Sequence, residues 1–300
     1  MSDRMPLLVL AVALLLPSVA PAADVVVTAP PGTCPGEAEP EFGVALVGTG
    51  NGVLVGGTAD ACRKAYVIDG RTGALARTLT SPTPDDPGGF GSAVATAGKH
   101  LLVSAPGVGK VYLFDGKTGA LRQTFADADA SGSSSFGAPL AGTSTRVAVH
   151  ATSFDAISGE THHSVQVFDA ASGALVRTLT LAAPGRGVEF GRGIAALGDE
   201  LVVGAPGFCV GLACDGSSGA AYVLDPDTGA IRLTLTSPAP VVGDQFGATV
   251  ASLGHDILVA ATGPPGHAGT VYRFSGHDGG LVQQFSNPAA PDEQIGRAHV

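Results

Sequence analysis

Eight histidines, four cysteines and a scatter of acidic residues are the side chains of this sequence that could do chemistry. The histidines are His100, His150, His162, His163, His255, His267, His277 and His299. Zinc sites pair His with His or Cys at short fixed spacings such as H-x-x-x-H, and no such spacing occurs here. His162 and His163 are adjacent, and neighbours in a strand point to opposite faces, so joint ligation would need an irregular loop. The DADA phrase at 127–130 lacks the third acid and the glycine of a calcium loop and reads as a solvated loop. There is no G-x-S-x-G elbow and no phosphate-binding glycine loop before a helix. Glycosidase chemistry needs two convergent carboxylates, whereas most acids here fall in turns or single loops.

The most regular polar feature is a turn phrase written five times: IDGRTGAL, FDGKTGAL, FDAASGAL, LDPDTGAI and FSGHDGGL. Asp69, Asp115, Asp169 and Asp225 open four of them. A carboxylate at that place accepts backbone N–H groups of the turn, so these acids read as turn formers. A glycine precedes the next strand each time, and a positive φ is expected at Gly73, Gly119, Gly173, Gly229 and Gly280.

These turns must be held by a larger repeat. Phe-Gly recurs at Phe42, Phe90, Phe136, Phe190 and Phe246, and each pair is followed by the same succession of elements. In the second repeat a small-residue strand at 92–96 precedes an apolar strand at 101–104. KVYLFD at 110–115 then alternates with period two, and a fourth strand follows at 121–125. Four strands per unit of about 50 residues is the signature of a propeller blade. The expected fold is all-β: a β-propeller of four-stranded blades, five visible, with a sixth opened at Ile295-Gly296. Each Phe is expected to wedge between blades, with the following Gly admitting a close backbone approach.

At these residues the chain resembles the FG-GAP repeat family, bacterial relatives of the integrin α-subunit propeller. The fourth repeat carries both halves, Phe190-Gly191 and Gly204-Ala205-Pro206. The second carries Phe90-Gly91 and Ser104-Ala105-Pro106. Repeats one, three and five reduce the second half to Gly56-Gly57-Thr58, His150-Ala151-Thr152 and Ala260-Ala261-Thr262. The resemblance spans about residues 24–296 and implies a propeller that acts in interaction or adhesion. Family blades often hold a D-x-D-x-D-G calcium loop between their first two strands. Here that connection is TAGKH, STR, LGDE or LGHD, so neither calcium nor any other cofactor is expected. The alternative is the propeller scaffold of a secreted enzyme, quinoprotein-like or a hydrolase or lyase. The phrase at 167–175 looks like turns of quinone-dependent propellers, but those usually carry Trp-rich docking motifs and this chain has no Trp.

Composition bounds the partners. The formal charge is −10 with 16 Lys and Arg, so no basic face for nucleic acid is visible. Arg4, the apolar stretch 6–16 and Ala20-Pro21-Ala22 form a signal peptide, removed at about residue 22, which leaves a propeller of residues 23–300. No later stretch has the length of a membrane span. The mature chain is expected to be secreted, periplasmic or at the cell surface. Export makes disulfides the default, and four cysteines permit three pairings. Cys209 and Cys214 share one loop. Cys34 and Cys62 fall on one face of the first blade. The expected pairs are therefore Cys34–Cys62 and Cys209–Cys214.

In such a blade the second-to-third and fourth-to-first connections share one face. The long ones lie there, at 152–163 and 207–219. Phe154, Asp155, Glu160, His162, Phe208 and Asp215 are the candidate contacts for an unidentified protein or surface ligand. Residues 25–28 read as a fourth strand lacking its first three. The chain therefore reads as a C-terminally truncated, incomplete ring.

Overall fold

The computed structural model describes residues 42–57, 64–83, 89–128, 134–181, 189–207, 218–263 and 269–286. The signal segment, the strand expected at 25–28, the sixth opening at Ile295-Gly296, all four cysteines, Phe208 and Asp215 lie outside them.

The protein is an all-β, five-bladed β-propeller. Blade one is β1 (Phe42–Gly48), β2 (Gly52–Gly57), β3 (Lys64–Asp69) and β4 (Leu75–Thr80). Blade two is β5 (Val94–Ala97), β6 (His100–Ala105), β7 (Lys110–Asp115) and β8 (Leu121–Ala126). Blade three is β9 (Ser134–Gly142), β10 (Arg146–Asp155), β11 (Glu160–Asp169) and β12 (Leu175–Leu179). Blade four is β13 (Gly193–Leu197), β14 (Glu200–Ala205), β15 (Ala220–Leu224) and β16 (Ile231–Leu235). Blade five is β17 (Thr249–Leu253), β18 (Asp256–Ala261), β19 (Thr270–Ser275) and β20 (Leu281–Ser286). Each sheet is antiparallel in chain order, and the first strands β1, β5, β9, β13 and β17 pack in succession. A single 3-10 turn at Pro106–Val108 is the one helical element among the described residues.

The second and third strands of a blade are buried on both faces, so they read as apolar runs, while the fourth strands alternate. Blade-to-blade packing centres on the Phe of Phe-Gly. Phe190 lies among Ala148, Val165, Val167 and Leu179 of blade three and Leu201, Val203 and Tyr222 of blade four. Phe90, Phe136 and Phe246 are buried the same way, each at the boundary with the blade before. Phe90 and Phe246 also meet a ring of their own third strand edge-on, Phe114 at 6.2 Å and Phe274 at 5.9 Å. Phe42 departs from the expected wedge: it is partly buried against Val55, Tyr66 and Ile68 of its own blade.

The Gly of Phe-Gly meets the small residue of the preceding blade's second motif. A Cβ on Gly204 would fall 1.9 Å from the Gly247 carbonyl oxygen, and one on Gly56 would fall 2.0 Å from that of Gly91. The two halves of the repeat phrase are thus the two sides of one backbone contact between blades.

The turn aspartates act as expected. Asp69, Asp115, Asp169 and Asp225 accept the backbone N–H three residues on at 2.7–2.8 Å. Positive φ falls at Gly73, Gly119, Gly173 and Gly229, but in the fifth turn at Gly279 rather than Gly280. The doubled glycine of FSGHDGGL hid the register. Arginines then tie these turns to the blade before. Arg77 donates to the Gly116 carbonyl at 2.9 Å, Arg177 to that of Asp227 at 2.9 Å, and Arg232 to that of Gly276 at 2.8 Å.

Phe190→Ala is expected to cost about 3–5 kcal/mol, as buried Phe truncations do. Phe285→Ala, at a fourth-strand site that is 40% exposed, should cost about 1 kcal/mol or less. Urea unfolding of the two variants checks the contrast, and equal losses would contradict this packing.

Candidate functional site

Blade three breaks the pattern of the other four. Its second and third strands run ten residues each and stay paired from Arg146↔Asp169 to Asp155↔Glu160. The segment 152–163, expected as a loop, is therefore a paired β-hairpin arm. The first strand extends with it, pairing Ser135 with Thr152. The arm closes with the same chemistry as the uniform turns on the other face. Asp155 accepts the Ile157 N–H at 2.8 Å and the Ser158 hydroxyl at 2.9 Å, and Gly159 holds φ 69°. D-x-x-S-G is legible in DAISGE, but its position between the second and third strands concealed the match.

The candidate contacts separate accordingly. Asp155 is a turn former whose carboxyl is held below its usual range, first by the Ile157 N–H and then by Ser158. Phe154 is 48% exposed, and Ile157 at the tip is 98% exposed. Strand alternation puts Phe154, Thr152, Thr161 and His163 on the side of blade four, with Glu160 and His162 on the opposite side. Of the six residues expected to form one contact surface, Phe154 thus lies on the opposite side of the arm from Asp155, Glu160 and His162, and Phe208 and Asp215 are not described.

The sequence reading missed His150. In the other blades its slot holds Gly56, Ser104, Gly204 and Ala260, each facing the third-strand residue that Val165 matches here. At the boundary with blade four, His150 fills this small-residue slot, and a Cβ on Gly191 would lie 2.8 Å from its ring. The imidazole is buried. Its Nδ1 lies 3.2 Å from the Ala138 carbonyl, and its Nε2 lies 3.2 Å from Nδ1 of His163, with the rings stacked at 5.4 Å. A carbonyl can only accept, so Nδ1 of His150 carries the proton. Its Nε2 then accepts from Nδ1–H of His163, which leaves the His163 Nε2 lone pair bare. The signal was in the sequence, as the His in VAVHAT where other repeats place a small residue.

Burial, the main cause, pushes His150 down to about 4, and the charges of His163 and Arg192 add to this. Burial also lowers His163, opposed by Glu189 and assisted by Arg192 and His162. Glu189 and Arg192 pair with each other at 3.3 Å on the segment entering blade four. The base of the arm is thus an uncharged imidazole pair beside one ion pair, with an exposed aromatic above. Such groups present hydrogen-bonding and apolar surface. Among the described residues no three His, Cys, Asp or Glu side chains are grouped to hold a metal.

Asp127, expected in solvent, is half-buried. Its Oδ1 accepts from the Gln166 amide at 2.7 Å, and Gln166 Oε1 accepts the Ala128 N–H at 3.0 Å. This acid fastens the linker between blades two and three. Asp129 is not described.

No family model matches the sequence, and no curated protein is similar to it. Among solved structures it is similar in fold to the europium-containing methanol dehydrogenase, with a TM-score of 0.50 and 15% identity over 83% of this chain. It is also similar to BamB from Moraxella catarrhalis, with a TM-score of 0.40 and 14% identity over 81% of this chain. The chain spans 53% and 63% of the lengths of those two proteins. The likeness to the dehydrogenase shows the fold alone, a β-propeller scaffold. No helix among the described residues is long and apolar enough to cross a membrane.

The His150 slot makes stability depend on pH. The folded state keeps this imidazole neutral down to about 4, while the unfolded chain protonates it from 6.5. Between those values the unfolded state binds the extra proton. The stability is therefore present above 6.5 and is lost as pH falls towards 4, by up to about 3 kcal/mol. Urea melts across that window should show the loss, and His150→Ala, the residue blade five carries at this slot, should flatten it.

Proposed function

We propose that this protein is an exported binding module of the FG-GAP class. Its ring is a rigid scaffold, and the face bearing the arm engages a protein or surface ligand. The observation that carries this reading is the asymmetry of the two faces. The five third-to-fourth turns of one face share a single hydrogen-bonded length, four of them close on an aspartate, and three are fastened to the neighbouring blade by Arg77, Arg177 and Arg232. On the other face, blade three projects a paired hairpin with Phe154 and Ile157 exposed near its tip. An exposed aromatic and an aliphatic side chain on a preordered arm supply contact area at low ordering cost. The histidine pair below adds no charge of its own beside the Glu189–Arg192 ion pair at neutral pH. Export is supported by the charged start, apolar stretch and small-residue cleavage site at the N-terminus.

Replacing residues 152–163 with the short second-to-third connection of blade two tests the proposal. Binding of the purified protein to cells or matrix is expected to weaken by about tenfold or more, the scale of a lost aromatic hot spot. Phe154→Ala with Ile157→Ala should reproduce most of that loss without changing the melt. Unchanged binding by both variants would remove the arm from the interface.

A further inference from the structure

Two groups that titrate stand where the arm of blade three joins the packed blade. His150 pairs with Val165 and His163 with Thr152, so the two rings lie diagonally across β10 and β11 on the side of blade four. Below them the ladder is apolar and buried, with Val147, Val149, Val165 and Val167. Above them it consists of four rungs, from Thr152↔His163 to Asp155↔Glu160, and none of these eight residues is buried. The arm has no core of its own, and the ring pair is its outermost contact with the blade boundary.

We propose that this pair is an acid-operated latch: it holds the arm closed when neutral or singly protonated, and a second proton releases it. The 3.2 Å bond between Nε2 of His150 and Nδ1 of His163 needs one donor and one acceptor. In the neutral pair His163 donates, because His150 gives its Nδ1–H to the Ala138 carbonyl. A first proton goes to the bare Nε2 of His163, and the bond survives, since Nδ1–H still donates. A second proton can go only to Nε2 of His150. Two donors then face each other 3.2 Å apart on stacked cations. The contact turns repulsive, and the half-buried His163 is the ring with room to leave. The surrounding charges fit this order. Glu189 favours the proton on His163, while Arg192 and His162 oppose it. His163 and Arg192 oppose the proton on His150. Tyr222, at the same boundary, stays neutral, its hydroxyl pushed up to about 12 by burial. β9 carries no titratable side chain, and Glu160 stands with His162 on the far side of the arm. At the tip, the Ile157 N–H and Ser158 hold the Asp155 carboxyl below its usual range, so the turn stays closed while the base opens. On the proposed role of the arm in ligand contact, on which this consequence rests, the second proton also lowers ligand affinity.

Amide exchange of the whole protein, corrected for its intrinsic pH dependence, tests the latch without a ligand. From neutral pH to about 3.5, protection of residues 160–164 should hold through the first proton and then fall by about tenfold or more, while 165–168 and the neighbouring blades stay protected. Ring C–H proton shifts should show the pair titrating in two steps. His163→Asn sets at the place of Nδ1 an amide that donates or accepts without charge, so its arm should stay closed over the whole range. His150→Ala should likewise remove the pH dependence of exchange at 160–164. Protection that does not change with pH, protection lost across all of blade three at once, or a His163→Asn arm that opens as the wild type does would each overturn the latch. Wild-type binding to cells or matrix that persists where 160–164 exchange freely would count against the arm as the ligand contact and leave the latch standing.

Discussion

The structure is organised by one close approach between successive blades, made backbone against backbone at two of the boundaries. The Gly after each Phe faces the second strand of the preceding blade, where Gly204 meets Gly247 and Gly56 meets Gly91 too closely for a Cβ. That approach lets the Phe beside it reach between two sheets, and the Phe buries the area that holds them together. At these two boundaries a Cβ would meet backbone, whereas Ser104 and His150 fill the same slot at the other two and leave Phe136 and Phe190 buried. Chemically quiet glycines therefore decide the geometry of every polar group further out.

His150 shows what happens when the contact is relaxed on one side. Its ring stands against Gly191 in the slot that Gly56, Ser104 and Gly204 fill at the other boundaries, and the cost of burying an imidazole is met by two hydrogen bonds. Those bonds require one protonation state and one tautomer chain, running from the Ala138 carbonyl through His150 to His163. The long hairpin of blade three rises from this point, so its base is set by a polar pair where the other junctions hold a glycine or a serine.

The opposite face is governed by charge used locally. Each turn aspartate is consumed by the N–H groups of its own turn, and these bonds hold Asp69, Asp115, Asp169 and Asp225 below the usual carboxyl range. Arginines of one blade then find the carbonyls of the next. Arg146 spans Asp169 of its own blade and Asp227 of blade four. A chain of net charge −10 thus neutralises many of its acids within the scaffold.

The four-strand order of the five blades, four of the Phe wedges and the role of the four turn aspartates were legible in the sequence, because each rests on local chemistry repeated along the chain. Gly279 was misread as Gly280 because two adjacent glycines satisfy the same local rule and only the register of β19 on β20 separates them. The arm at 152–163 was read as a loop because polar T-S-F-D and E-T-H-H carry no apolar alternation. Their pairing comes from the ladder begun lower in β10 and β11. The His150–His163 pair and the Asp127–Gln166 anchor were decided by tertiary structure alone. Each joins residues distant in the chain, or depends on which blade covers which face, and no local pattern records either.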